Sequence, residues 1–264
     1  MGNQGDFLEL LKERGYQFGT PNALIGDQTG RGIPPDITRA TTILAMKYRD
    51  GVLVAGDRRA TAGNMVMYDR TDKVLELDRY CVLAIAGVPA TAFEMVRILE
   101  HSFKYYRRSQ LQEMSFEGKL RALIKLLKEN VPSALAGTGA VVPIFAGYDH
   151  DHETAKIFFY DILGAEFEGA EYAVSGSGSP TIRGILHYMN RWGERPLEQL
   201  AEEEATVLVL RLLNSAAEFD SATGGINPEL DLYPIIKVIT KAGVKTLPVD
   251  RLKPLFEAKV SYHV

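Results

Sequence analysis

The sequence predicts an α+β fold in which layered β-sheets are covered by pairs of helices. Three features lead to this prediction. From residue 41 onward the chain has β-rich runs, then two long amphipathic segments, and then strands followed by helices again before a last pair of strands. Sheets that pack face to face, with helices on their outer sides, are one of the few stable layer arrangements for such an order.

The first predicted strands surround a tight turn. Residues 41–48 and 52–59 are rich in apolar and β-branched residues, and Arg49-Asp50-Gly51 stands between them. Two β-rich runs joined by a glycine-containing turn predict a hairpin. Polar residues lie at the ends of these runs, and they are of types that a hydrolase can use.

Hydrophobic periodicity and turn residues predict the remaining elements. Strands are expected at 74–77, 80–86, 140–148, 154–161, 171–174, 233–240 and 244–247. Helices are expected at about 90–112, 117–135, 180–189 and 196–219, and a last helix is expected to be capped by Asp250.

The N-terminal 40 residues differ in composition from the rest. Residues 6–14 alternate apolar and charged side chains at helical spacing and stop at Gly15, which predicts a short amphipathic helix. Residues 15–40 have no sustained period, and Pro34-Pro35 excludes regular structure there. This change marks the one candidate boundary of the chain, and residues 1–40 are either a linker or a removable propeptide.

Composition limits the function classes. With 264 residues, 46% of them hydrophobic, and a formal net charge of -4, the chain is expected to be a soluble globular protein without a nucleic-acid-binding surface. No apolar run reaches the length of a membrane span, and the acidic N-terminus lacks the order of a secretion signal, so we expect a cytoplasmic protein. The single cysteine, Cys81, is expected to be a small buried residue rather than a catalytic thiol.

Thr41 starts the first strand and is a candidate nucleophile. A threonine hydroxyl can be activated by the α-amino group of the same residue, whose unperturbed pKa is roughly 7.7 to 8.0. This chemistry requires a free amine, and Thr41 acquires one only if the Ala40-Thr41 bond is cut. The alternative is that Thr41-Thr42 simply begins a strand, where β-branched residues are favoured.

Several separated motifs decide between these alternatives by resemblance. They are Thr41-Thr42-Ile43, Gly56-Asp57-Arg58-Arg59, Lys73, Ala86-Gly87, Ser175-Gly176-Ser177-Gly178-Ser179 and Asp220-Ser221-Ala222-Thr223-Gly224-Gly225. In this order and spacing the chain resembles the β subunit of the 20S proteasome, a family of N-terminal nucleophile hydrolases. The segment from Arg58 to Met65 is most similar to the bacterial, actinobacterial-type version. The resemblance covers residues 41 to about 250 and implies a four-layer αββα sandwich.

The resemblance also implies roles for particular residues. Thr41 would be the nucleophile, Lys73 would lower the pKa of the reacting groups, and Asp57 would hold Lys73 charged. The backbone N–H of Gly87 would form the oxyanion hole. Supporting polar positions around the nucleophile match Ser177, Asp220 and Thr223.

Domain boundaries, processing and specificity follow from the same resemblance. Residues 1–40 would be a propeptide that self-processing removes at Ala40-Thr41, which leaves 41–264 as the catalytic domain of a zymogen. The family most often has glycine where Ala40 stands and serine where Thr223 stands. The positions that line the family's S1 pocket are apolar or uncharged in this chain, so cleavage after hydrophobic residues is expected. These positions are Ala60, Thr71, Leu75, Ile85, Pro89 and Phe93.

The implied assembly is a stack of heptameric rings, α7β7β7α7, in which proteasome α subunits and copies of this chain enclose the active sites. Unfolded or tagged polypeptides would be delivered by an ATPase ring, without a cofactor. Two alternatives are a catalytically silent structural subunit of the β ring and a non-peptidase amidohydrolase that uses the same nucleophile.

Two other patterns have simpler interpretations. The alternating Asp149-His150-Asp151-His152 could suggest a metal site, but a solvated turn without further ligands is expected. The run Ser175 to Ser179 lacks the ending of a phosphate-binding loop. We therefore expect no metal and no nucleotide at either place.

Overall fold

A computed structural model describes residues 6–16, 18, 41–62, 65–169 and 171–261. The strands are β1 (Thr42–Tyr48), β2 (Gly51–Gly56), β3 (Ala60–Ala62), β4 (Met65–Tyr68), β5 (Val74–Glu76), β6 (Cys81–Ala84), β7 (Ile144–Asp149), β8 (Thr154–Tyr160), β9 (Glu166–Glu168), β10 (Tyr172–Gly176), β11 (Ile235–Thr240) and β12 (Gly243–Thr246). The helices are α1 (Phe7–Glu13), α2 (Pro89–Gln110), α3 (Phe116–Leu135), α4 (Ser179–Trp192), α5 (Glu202–Phe219) and α6 (Val249–Lys259).

The strands form two five-stranded antiparallel sheets and one small ribbon. The first sheet has the order β10-β1-β2-β11-β12, and the second has the order β5-β6-β7-β8-β9. The ribbon pairs β3 with β4 next to the end of β2. The hairpin predicted at 41–59 is confirmed, since β1 and β2 pair from Ile43 opposite Gly56 to Tyr48 opposite Gly51.

Alternating side chains of β1 show how the layers stack. Leu44 and Met46 pack in a core with α4 and α5, whereas Ile43 and Ala45 pack in a second core against the other sheet. Side chains of the second sheet, such as Phe145, pack in a third core with α2 and α3. Three cores between successive layers make a four-layer αββα sandwich, as the sequence and the resemblance predicted.

Most predicted elements are confirmed, with shifts of a few residues at their ends. The helix predicted at 6–14 is α1, and its N-cap is Asp6, whose carboxylate accepts hydrogen bonds from the backbone N–H groups of Leu8 and Glu9. Ser115 caps α3 by accepting from Gly118 N. These caps satisfy donors that a helix end leaves without an intrahelical partner.

The long helix predicted from 196 was wrong at its start. Only a short 3₁₀ turn occupies Leu197–Gln199, and α5 begins at Glu202. Leu200 and Ala201 are extended, and the Glu204 carboxylate accepts a hydrogen bond from Ala201 N at 2.9 Å. The Glu202-Glu203-Glu204 run therefore starts the helix, where negative charge is favourable.

Three further differences concern short elements. No strand was predicted between residues 60 and 73, but β3 and β4 form there, and the apolar side chains of β4 are exposed. Strand β9 was not predicted. The prediction that Asp250 caps the last helix was wrong: Pro248 occupies the N-cap position without a side-chain hydrogen bond, and Asp250 lies in the first turn.

Candidate active site

The ends of several strands meet at one edge of the sandwich and bring the predicted polar residues together. Thr41 directly precedes β1, and Asp57 directly follows β2. Because β1 and β2 are antiparallel, these two ends are neighbours: Thr42 N donates to Asp57 Oδ1 at 2.8 Å, and Asp57 N donates to Thr42 O at 3.0 Å. The hairpin thus fixes Asp57 beside the start of β1.

Asp57 and Lys73 form a buried ion pair. Lys73 Nζ lies 2.7 Å from Asp57 Oδ1, and the two side chains are 3% and 0% exposed. Lys73 also donates to the carbonyl oxygen of Arg59. Burial lowers the pKa of Lys73, and the charge and hydrogen bond of Asp57 oppose this effect. The carboxylate is therefore the counter-charge that favours the ammonium form of Lys73.

Backbone N–H groups saturate the same carboxylate. Asp57 Oδ1 accepts from Thr42 N as well as from Lys73, and Asp57 Oδ2 accepts from Arg59 N at 2.9 Å and Gly224 N at 2.8 Å. A buried carboxylate is tolerated where its oxygens are paired and hydrogen-bonded. This set of donors holds Asp57 in one position.

A second polar cluster joins the loop after α5 to the strand ends. Ser177 Oγ donates to Asp220 Oδ2 at 2.6 Å, and the Thr223 hydroxyl donates a short hydrogen bond to the same oxygen. Thr223 Oγ1 lies 2.6 Å from Thr42 Oγ1. Since the Thr223 proton points to Asp220, Thr42 is the donor in this contact.

Backbone contacts attach this cluster to Thr41. Ser177 N donates to Thr41 O at 2.9 Å, and Gly178 N donates to Thr42 Oγ1 at 2.9 Å. A Cβ atom on Gly178 would come within 2.6 Å of Thr42 Oγ1 and 2.8 Å of Thr223 Oγ1, so a side chain cannot be placed there without a shift. The predicted supporting residues Ser177 and Thr223 therefore both contact Asp220, and the cluster reaches Thr41 through Ser177 and Thr42 through Thr223.

Gly87 adopts a conformation that suits glycine. Its φ is +118°, and a Cβ atom would lie 2.1 Å from Ala140 O. It forms a bridge with Val141 in which the flanking hydrogen bonds run from Val88 N to Ala140 O and from Val142 N to Ala86 O. In such a pair the N–H of Gly87 points away from the partner strand. This orientation is compatible with the oxyanion-hole role that the resemblance implies.

One cavity connects these residues to the predicted specificity positions. Thr41, Lys73 and Gly87 line it, and the other lining residues are apolar or carry a hydroxyl group: Ala60, Thr61, Thr71, Ile85, Ala86, Pro89, Ala92 and Phe93. All predicted S1 residues except Leu75 are among them. Leu75 is partly buried and packs against the core under α2 and α3 instead.

Arg59 was quoted in a motif but received no role from the sequence. Its backbone N–H donates to Asp57 and its carbonyl oxygen accepts from Lys73, while its guanidinium donates from Nη1 to Ser221 O and Thr223 O at 3.0 and 3.3 Å. One residue thus links the Asp57–Lys73 pair to the loop that carries Asp220. Its place two residues after Asp57, within the Gly56-Asp57-Arg58-Arg59 motif, was the available signal.

Two other candidate groups lie away from this site. Cys81 is buried as expected, and burial raises the pKa of its thiol well above the ordinary value. Asp149 is buried and accepts hydrogen bonds from His152 Nδ1 at 2.7 Å and Lys156 Nζ at 2.8 Å, so its carboxylate is paired with side chains of the protein itself. Across the described ranges, no group of three or more His, Cys, Asp or Glu residues could hold a metal ion.

None of the helices in the described part of the chain combines the length and the apolar character that a membrane span needs.

Comparison with known proteins agrees with the geometry. A family model described as proteasome subunit matches residues 37–227. The chain is 37% identical over 254 residues to proteasome subunit beta 2 of Thermomonospora curvata, covering 96% of this chain and 87% of the relative. It is also 37% identical over 246 residues to a proteasome subunit beta of Streptomyces griseus, covering 91% of this chain and 82% of the relative. The chain therefore belongs to the proteasome subunit family, and it resembles the β subunits of actinobacteria, as its motifs predicted.

Proposed function

We propose that this chain is a threonine-type endopeptidase subunit of a bacterial 20S proteasome core. The observation that carries the proposal is the cavity in which Thr41 and Lys73 lie together, with Lys73 paired to the fully buried Asp57. A silent subunit does not require a buried ion pair beside a threonine, because burying two charges is unfavourable unless they are well compensated.

In the proposed reaction the hydroxyl of Thr41 attacks the carbonyl carbon of a peptide bond. The α-amine of mature Thr41 accepts the hydroxyl proton and returns a proton to the leaving amine, which yields an ester on Thr41. Water then hydrolyses the ester and regenerates the hydroxyl. Lys73 lowers the pKa of the reacting groups by its positive charge, and the N–H of Gly87 stabilises the oxyanion of the tetrahedral intermediate.

The proposed active form lacks residues 1–40. In the full chain the nitrogen of Thr41 is part of the amide bond to Ala40, and an amide nitrogen cannot act as the base. Self-processing at Ala40-Thr41 would create the amine and convert a zymogen into the enzyme. Ala40 itself lies outside the described residues.

The proposed specificity is for hydrophobic side chains at the residue before the cut bond. Apart from Lys73, which is paired with Asp57, the cavity beside Thr41 is lined by uncharged residues, and Ile85, Pro89 and Phe93 provide apolar surface. Neither an acidic nor a basic substrate side chain would find an exposed opposite charge among these lining residues. Cleavage after Leu or Tyr should therefore be faster than cleavage after Arg or Glu.

The proposed assembly follows from the family and from the names of the relatives, which are proteasome subunits beta. This chain would form β rings with copies of itself and stack with rings of α subunits as α7β7β7α7. An ATPase ring would supply unfolded or tagged polypeptides in the cytoplasm.

The first test is coexpression of the chain with its α partner, followed by intact-mass measurement and N-terminal sequencing. The wild-type chain should begin at Thr41, and a Thr41→Ala control should keep residues 1–40. Fluorogenic peptides that differ only in the residue before the cut should then show the preference for Leu and Tyr.

Two results would contradict the proposal. An uncut wild-type chain within an assembled ring, without peptidase activity, would identify a silent structural subunit. A cut chain that hydrolyses small amides but no peptides would identify an amidohydrolase.

A further inference from the structure

The N-terminal helix α1 is seated in the groove between α2 and α3. Leu8 is only 4% exposed and belongs to the same core as Leu99 of α2 and Leu126 of α3. The rings of Phe7 and His101 lie 5.9 Å apart in an edge-to-face arrangement. A short helix of this kind is unstable alone in water, so packing in the groove must supply most of its stability.

Charged side chains around Leu8 are complementary between helix and groove. Lys125 Nζ lies 2.8 Å from Asp6 Oδ2 and 2.9 Å from Glu9 Oε1, and Lys12 Nζ lies 2.6 Å from Glu129 Oε1. Beyond the helix, the hydroxyl of Tyr16 donates to Glu94. Opposite charges that alternate along both partners define one register and one direction for the helix.

Asp6 couples folding of the helix to docking. Its Oδ1 atom accepts from Leu8 N and Glu9 N and so caps α1, while its Oδ2 atom pairs with Lys125. Partial burial opposes ionisation of Asp6, but Lys125 and the backbone N–H groups of Glu9 and Leu8 outweigh it and lower the pKa. The same carboxylate therefore stabilises both the helical conformation of α1 and its docked position in the groove.

All of these contacts join residues 6–16 to side chains of α2 and α3. We propose that the groove between α2 and α3 is a peptide-binding site for residues 6–18, and that it recognises this segment also on a separate chain. The inference rests on the proposed function only in that a cut before Thr41 would create such a separate chain. Before the cut, the tether raises the effective concentration of the segment and keeps the site occupied.

The site has the features of a helix-in-groove interface. Its apolar anchor is Leu8, and its specificity lies in the ion pairs on either side. A cavity of about 300 Å³ remains beside Asp6, Phe7 and Leu8, between α2 and α3, so the segment does not fill the groove completely. Exposed ion pairs are weak and are screened by salt, so binding of the free segment should weaken as ionic strength rises.

The test uses a fluorescent synthetic peptide of residues 6–18 and full chains that carry Thr41→Ala, so that no chain can process itself. In the acceptor chain, Phe7→Ser, Leu8→Asp and Lys12→Glu disable the chain's own segment and leave the groove unchanged. Fluorescence anisotropy should show saturable binding to this acceptor and at least about tenfold weaker apparent binding to the chain with an intact segment. A peptide with Leu8→Asp is the matched control and should not bind.

A charge exchange separates specific docking from general adhesion. Lys125→Glu in the acceptor should weaken binding of the wild-type peptide about tenfold, and Glu9→Lys in the peptide should restore part of the loss. The proposal is overturned if the acceptor fails to bind the peptide, or if it binds the wild-type and Leu8→Asp peptides equally. Because every chain is uncut, neither result depends on whether Thr41 is a nucleophile.

Discussion

Replacing Asp57 by asparagine tests whether the buried ion pair organises the active site. The substitution keeps the shape of the side chain and removes its charge. Each oxygen of the Asp57 carboxylate accepts two hydrogen bonds: Oδ1 from Thr42 N and Lys73 Nζ, and Oδ2 from Arg59 N and Gly224 N. Whichever way the new amide is oriented, its NH₂ group faces two donors.

The expected loss of stability in Asp57→Asn follows from the burial of the ion pair. Asp57 is 1% exposed and Lys73 is 2% exposed, so the lysine charge that remains has little access to water. Removing one partner of a buried ion pair typically destabilises a protein by about 3–5 kcal/mol. Asp57→Asn should therefore lower the free energy of unfolding by about that amount, and it should lower the pKa of Lys73 further because the opposing carboxylate is lost.

Asp69→Asn is the matched control, since it makes the same chemical change at a surface ion pair. Asp69 Oδ1 lies 3.6 Å from Arg59 Nε, and its side chain is 46% exposed. An exposed pair of this kind contributes about 0–1 kcal/mol. Urea denaturation followed by circular dichroism, with both variants in a Thr41→Ala background, gives the comparison. If Asp57→Asn destabilises the chain no more than Asp69→Asn does, the carboxylate does not organise the site.

Three further predictions address processing, positioning and pH. Ala40→Gly should speed the cut before Thr41, because glycine at the scissile carbonyl enters a tight turn freely. Intact mass recorded against time gives the rate of processing, and equal rates for the two chains would show that the side chain of Ala40 does not hinder the cut. Arg59→Ala should lower kcat about tenfold with little change in KM, since two hydrogen bonds to the loop of Asp220 are lost; a change in KM alone would assign Arg59 to substrate binding. Burial of Asp78 is outweighed by Lys119, which lies 2.7 Å away, so its pKa is lowered. The stabilisation of the fold by the ionised Asp78 should be present above about pH 3.9 and lost as the pH falls through the lowered pKa. The urea midpoint of Asp78→Asn should therefore decrease less on acidification than that of the unsubstituted chain.

The sequence predicted the layers well because their signal is local. Alternating apolar residues and glycine turns specify hairpins, and amphipathic periods specify α2 and α3 without reference to distant residues. The β3–β4 ribbon was missed for the opposite reason. Met65, Val66, Met67 and Tyr68 are all exposed in the isolated chain, so their pattern carries no alternation between a buried and a solvated face.

The site was predictable in its residue types but not in its connections. Asp57, Lys73 and Asp220 stand in recognisable motifs, and their positions at strand and helix ends follow from the predicted elements. The links through Arg59 and Thr42 depend on hydrogen bonds between residues that are far apart in sequence. Thr42 Oγ1 and Thr223 Oγ1 are 181 positions apart and 2.6 Å apart in space, and no local pattern encodes that contact.

The start of α5 shows the same limit on a smaller scale. Helical periodicity continues back from residue 202 towards Pro196, so the pattern alone predicts a longer helix. The hydrogen bond from Ala201 N to the Glu204 carboxylate fixes the N-terminus of α5 at this point. A local capping contact of this kind outweighs hydrophobic periodicity in deciding where a helix begins.

These features together indicate what the proposed cut must accomplish. The contacts described for Asp57, Ser177, Asp220 and Thr223 are all made by residues of 41–264, and they exist while Thr41 is still joined to Ala40. Under the proposed function, the charges and hydrogen bonds around the proposed nucleophile Thr41 are therefore assembled before its amine becomes available as the base. Cutting one bond then needs to change only one group, from an amide to an amine with an ordinary pKa of roughly 7.7 to 8.0. A preorganised site that lacks only its base can remain inactive through folding and assembly, and it needs no further rearrangement of these contacts to become active.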